Sequence, residues 1–164
     1  MSEIYYKEKF VYHGAGFPVT LLHVPFKKLG KDEILYVSSE QLDLAIAKLV
    51  LLKPAILTGN EVRFLRAMIN ESMEKFSSHF NNSPATIKNW EDRKDEAIST
   101  SYEIDFAIRS TVASVLRIDH QITTNFLVHS SVLKAAEYRS EPIAPIQISI
   151  KDIQKDPFFK NMQH

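Results

Sequence analysis

The stretch Leu57-Thr58-Gly59-Asn60-Glu61-Val62-Arg63-Phe64-Leu65-Arg66, carried on through Ser72 to Ser83-Pro84-Ala85-Thr86-Ile87-Lys88-Asn89-Trp90-Glu91, decides how the chain is read. Thr58 and Glu61 have the spacing of a capping box, in which each side chain satisfies an orphan amide of a helix's first turn. Val62, Leu65, Met68 and Ile69 then form one apolar stripe. Asn70-Glu71-Ser72 is a short break with Ser72 as the next N-cap, and Met73, Phe76 and Phe80 line a second helix of about two turns. Asn81-Asn82-Ser83-Pro84 is a second break. Asparagine tolerates the left-handed conformation of a tight turn, and serine followed by proline starts a helix. That third helix runs to about Asp92, with Ile87 and Trp90 facing inward.

Two short helices joined by a tight turn, the second bearing outward polar groups, make a helix-turn-helix. Ser77 supplies the small residue that close approach of the pair requires. With Ile87 and Trp90 anchoring it from behind, the second helix presents Ala85, Thr86, Lys88 and Asn89. Asparagine can bond adenine bidentately, an alanine methyl can meet a thymine methyl, and lysine can reach guanine or phosphate. Arg63, Lys75, Arg93 and Lys94 are candidates for the DNA backbone, where most protein–DNA contacts fall, although a lone surface charge is more often simply solvated. The residues expected at DNA are therefore Ala85, Thr86, Lys88, Asn89, Arg93 and Lys75.

The same residues carry a family resemblance. Leu57 to Arg66 resembles the LTGxEIRFLR signature of MqsA-type (YgiT-type) antitoxins, within the wider Cro/CI-like helix-turn-helix family. Ser83 to Glu91 resembles their DPATVSRWE recognition helix, and the Leu42 to Pro54 segment with its Leu-Leu-Lys-Pro resembles the stretch before the signature. The resemblance implies an antitoxin that neutralises a cognate toxin and represses its own operon as a dimer. It also implies that Arg66 pairs with Glu91. The family's N-terminal domain is typically a four-cysteine zinc module, whereas this chain has no cysteine. Met73 stands where relatives have a phosphate-contacting glutamine, and Asn89 where they have arginine.

Upstream, Ile4-Tyr5-Tyr6, Lys9 to Tyr12, Val19 to Val24 and Ile34 to Val37 read as strands, separated by His13-Gly14-Ala15-Gly16, by Pro25 and by Lys28 to Asp32. A small antiparallel meander is expected, held by core packing without zinc. Ser38 and Gln41 then open a helix with Leu42, Ala45, Ile46, Leu49 and Val50 on one face, expected to cover the sheet and to end at Pro54. Downstream, a capping box at Thr100 and Glu103 opens a helix with Ile104, Ala107, Ile108, Val112, Val115 and Leu116 in register. Ile122, Phe126, Leu133 and Ala136 read as a further helix, and Ile146 to Ile150 alternates like a strand.

Composition bounds the function. The 164 residues carry 20 basic and 20 acidic side chains, so the net charge is zero. Between Thr58 and Lys94 six basic residues oppose five acidic ones. A single reading head should therefore bind DNA weakly, and dimerisation would offset that. The absence of cysteine excludes disulfides and thiolate metal sites and fits a cytoplasmic address. The N-terminus lacks the apolar run of a signal peptide, and no window reaches the roughly 18 apolar residues of a membrane span, since Lys48 and Lys53 interrupt the best candidate. His13, His23, His79, His120, His129 and His164 lack metal-ligand spacing. Asp119 beside His120 has no nucleophile signature with it, and His13 to Gly16 is a turn with no helix after it to bind phosphate. No catalytic residue, metal or cofactor is expected.

The chain is thus read as α+β: a β-rich module with its connecting helix over residues 1–53, a helix-turn-helix domain over 54–118, and a C-terminal extension over 119–164. The expected function is a sequence-specific, antitoxin-like autorepressor. Its expected partners are double-stranded operator DNA, a second copy bound through residues 101–136, and a toxin, with no membrane. The rival reading is a protein-interaction module that keeps the fold without binding DNA, which zero net charge and Met73 favour.

Overall fold

Glycine chemistry at two turns sets up the N-terminal sheet. Gly16 adopts φ 90 and donates its amide to the His13 carbonyl, turning the chain between β1 (Ile4–Tyr12) and β2 (Val19–Leu29). Gly30, at φ 64, opens the two-residue turn into β3 (Asp32–Leu35). The computed structural model describes residues 3–98, 102–118 and 145–155, and is a mixed α+β structure. Its described residues fall into two compact units, divided between Ile46 and Ala47 and again near residue 144.

The first unit is a four-stranded sheet centred on β2. One edge of β2 pairs antiparallel with β1 along its length. The other edge is shared: β3 pairs antiparallel with Phe26–Leu29, and β4 (Ile146–Ser149) pairs parallel with Val19–Leu22. The break expected at Pro25 is absent, because β2 runs straight through it. Pro25 accepts from the Tyr36 amide, so its missing N–H also points to that edge, at the place where β3 ends, and the ladder loses little.

Both long strands switch faces midway. In β2 the buried positions are Val19 and Leu21, then Val24, Pro25 and Phe26. In β1 the inward positions are Tyr5 and Lys7, then Phe10 and Tyr12. The switch occurs at His23, whose φ of 53 breaks the two-residue alternation. Phe10 meets Phe26 edge-on at 5.1 Å between ring centres on the buried face. After β4, α6 (Ile150–Lys155) packs on β2 and β4 through Ile150 and Ile153.

The division between units falls inside α1 (Ser39–Leu52), where Leu42, Leu44, Ala45, Ile46, Ala47, Val50 and Leu51 are all buried. The second unit then adds α2 (Gly59–Met68), α3 (Met73–Ser78), α4 (Pro84–Glu91) and α5 (Tyr102–Val115) around Leu57, Val62, Leu65, Phe76, Ile87, Ile108 and Val112. Two buried ion pairs brace the entry to α2. Lys53 bonds both carboxylate oxygens of Glu61 at 2.6 and 2.7 Å. Arg109, only 2% exposed, lies beside Asp105 and donates to the carbonyls of Leu51, Lys53 and Ala55, while Asp105 accepts the Leu57 amide. The Arg109 guanidinium therefore satisfies carbonyls that the end of α1 and the proline-containing segment leave without helical partners.

The expected cap at Thr100, the helix over 122–136, most of the expected dimer surface over 101–136, and much of the 119–164 extension lie outside the described residues.

Candidate nucleic-acid interface

The N-termini of α2, α3 and α4 are all capped. All four orphan amides at the start of α2 are satisfied: Thr58 donates to the Glu61 carboxylate, Glu61 to the Thr58 hydroxyl, Gly59 to the Glu96 carbonyl and Asn60 to the Lys94 carbonyl. Ser72 and Ser83 cap α3 and α4 by accepting from Lys75 and Thr86. Asn70 and Asn81, both at φ 53, end α2 and α3. In each case the two amides after the helix turn back onto its last carbonyls, as Glu71 does to Arg66 and Asn82 to Ser77.

The rear of α4 is fixed. Ile87 is fully buried and Trp90 is 6% exposed, with Phe80 bridging Trp90 and Phe76 through edge-on ring contacts. Arg66 holds Glu91 bidentately, Nε to Oε1 at 2.6 Å and Nη2 to Oε2 at 3.1 Å. Its remaining Nη1 donates to the Glu71 carbonyl between α2 and α3. One guanidinium thus ties all three helices, and Arg66 and Glu91 are structural. Ser77 is buried, its hydroxyl spent on the Glu74 carbonyl.

The front of α4 carries Ala85, Lys88, Asn89 and Asp92 at helical spacing, all exposed. Thr86 is half-buried, with its hydroxyl 3.1 Å from that of Ser83. Lys88 reaches Asp92 at 2.5 Å, Arg93 lies 3.6 Å from Glu96, and Lys75 lies 3.9 Å from Glu71. All six residues expected at DNA are thus on the surface of the second unit. The three cations among them each have a carboxylate neighbour.

Asp92 is the residue whose part in this surface the sequence reading missed. The signal was available: a lysine and an aspartate four apart on one helix face meet. Both side chains are more than half exposed, so the pair contributes at most about 1 kcal/mol and a phosphate can displace it. Like Lys75, His79 faces the buried Glu71 carboxylate, at 2.8 Å.

Among the described residues no group of three or more His, Cys, Asp or Glu side chains could hold a metal ion, and no helix is long and apolar enough to cross a membrane. No protein-family model, curated protein or solved structure matches the chain.

Proposed function

We propose that α3 and α4 form a helix-turn-helix and that the protein is a sequence-specific DNA-binding regulator reading the major groove with α4. The observation that carries this reading is the division of α4 into two faces: Ile87, Trp90 and Glu91 are held rigidly in the core, while Ala85, Lys88 and Asn89 stand exposed in one stripe. A helix with a locked back and short polar groups in front can present donors and acceptors to base edges without loss of register. Asn89 is the base reader, Lys88 reaches guanine or phosphate, and Lys75 and Arg93 take backbone phosphates. The resemblance to MqsA-type antitoxins extends the proposal to an autorepressor acting as a dimer on its own operator, with a toxin as a further partner.

The second reading, an interaction module without DNA binding, is favoured by the carboxylates beside Lys75, Lys88 and Arg93. Selection from random duplexes, followed by titration at two salt concentrations, decides between them. The DNA-binding reading expects an enriched sequence. It expects Asn89→Ala to lose roughly 1–3 kcal/mol of discrimination at one position per half-site. Lys88→Ala should do the same or lower the salt slope by about one. If no sequence is enriched, or both variants bind the selected site as tightly as the parent, the interaction-module reading stands instead.

A further inference from the structure

One face of the sheet of the first unit carries a set of exposed apolar side chains. Strand register places its side chains in rows across three strands. Ile4, Lys27 and Ile34 form one row, Tyr6, Pro25 and Tyr36 the next, and Leu29 and Asp32 a third. The Lys27 ammonium lies 5.5 Å from the centre of the Tyr36 ring, which puts both side chains on this face. Pro25, at the centre of the grid, is buried, but the apolar residues around it are open: Tyr6 is 70% exposed, Tyr36 51%, Leu29 50%, Ile4 46% and Ile34 42%. Half-polar edge strands do not require this, because an antiparallel sheet that faces water alternates to polar residues on that side. The opposite, buried face carries Val24 and Phe26 at the intervening positions.

We propose that this face is where two copies of the chain pair, sheet against sheet about a two-fold axis. Three observations favour a second copy over other occupants. The exposed apolar side chains amount to on the order of 500 Å², at the upper end of what a monomer leaves open. Two such faces bury about 1,000 Å² together, the lower bound for a specific interface. Within these three rows the face carries one cation, Lys27, and one anion, Asp32, in different rows, so a two-fold axis between them brings each opposite its counterpart, while Glu8 at the next position of β1 adds a second anion. A nucleic acid or an anionic membrane would instead select a face of net positive charge, and this one has none. The inference deepens the proposed function by naming the surface that joins two reading heads. Its test uses no DNA, so its failure leaves that reading standing.

Sedimentation equilibrium of the full chain and its variants tests it, with thermal unfolding to show that each variant is folded. The full chain is expected to dimerise at micromolar concentration. Tyr6→Glu and Tyr36→Glu, at sites more than half exposed, should raise the dissociation constant at least tenfold without shifting the melting temperature appreciably. Lys27→Asp should weaken the dimer likewise, and Lys27→Asp with Asp32→Lys should restore it, because the swap rebuilds the pair across the axis. A full chain that stays monomeric to about 100 µM overturns the proposal, and vesicle or oligonucleotide binding by such a monomer would identify the other occupant. A dimer unchanged by both tyrosine variants also overturns it, placing the contact elsewhere in the chain.

Discussion

Gly59 rests directly on the carbonyl of Trp90. A β-carbon at position 59 would lie 2.4 Å from that oxygen, 2.6 Å from the Lys94 nitrogen and 2.8 Å from the Glu91 oxygen, and all three are backbone atoms. Rotamer changes cannot relieve such a clash. The close approach lets the first amides of α2 reach the Lys94 and Glu96 carbonyls, so the start of α2 and the end of α4 are a single joint. Gly59→Ala should therefore destabilise the protein by about 1–3 kcal/mol, read from urea unfolding curves. An unchanged midpoint would show that the joint opens freely.

Arg109 holds a second joint. Its guanidinium serves three carbonyls between Leu51 and Ala55 and lies 2.9 Å from the fully buried Asp105. Arg109→Met keeps much of the side-chain volume, strands those carbonyls and leaves the carboxylate without its counter-charge. A loss of about 3–5 kcal/mol is expected, since removing one member of a buried pair leaves a charge uncompensated. Equilibrium unfolding against the parent checks it.

Asp92 opposes the proposed DNA-binding face. Its carboxylate holds the Lys88 ammonium and adds negative charge to the stripe that carries Asn89. Asp92→Asn frees Lys88 and removes repulsion from phosphate. Affinity for the selected duplex should rise severalfold at low salt, and the gain should shrink as salt screens it. Fluorescence anisotropy at two ionic strengths measures both effects, and equal or weaker binding by the variant would place Asp92 outside the interface.

Burial pushes the Asp43 carboxyl above its ordinary range. The folded state therefore keeps a proton that the unfolded state has lost once the pH exceeds the unfolded value. Stability from this group is fully present below that value and is lost as pH rises through the raised folded one. Asp43→Asn carries no charge at any pH. Its stability relative to the parent should increase from acidic to neutral pH and then level off. Urea midpoints at several pH values test this, and a constant difference would contradict it.

Local spacing in the sequence was enough to mark the strand-rich start of the chain, though not the ends of β2 and β3, together with the helices from Ser39 to Glu91, their caps at Thr58, Ser72 and Ser83, and the inward set Ile87 and Trp90. Each of these rests on side chains within about four residues of one another, and caps and amphipathic stripes are chemistry on that scale. The Lys88–Asp92 contact was legible by the same rule. Only tertiary structure decided the rest. Pro25 reads as a strand break until β2 has neighbours, and what makes it tolerable is the end of β3 beside it. Ile146–Ser149 reads as a strand, yet its partner, the first half of β2, lies at the other end of the chain and no local signal names it. The face switch at His23 depends on a backbone angle, and the open grid of Tyr6, Lys27 and Tyr36 depends on a register that only pairing sets. Gly59 could be read as part of a helix start, but its contact with the Trp90 carbonyl joins backbones distant in sequence, where composition and periodicity carry no information.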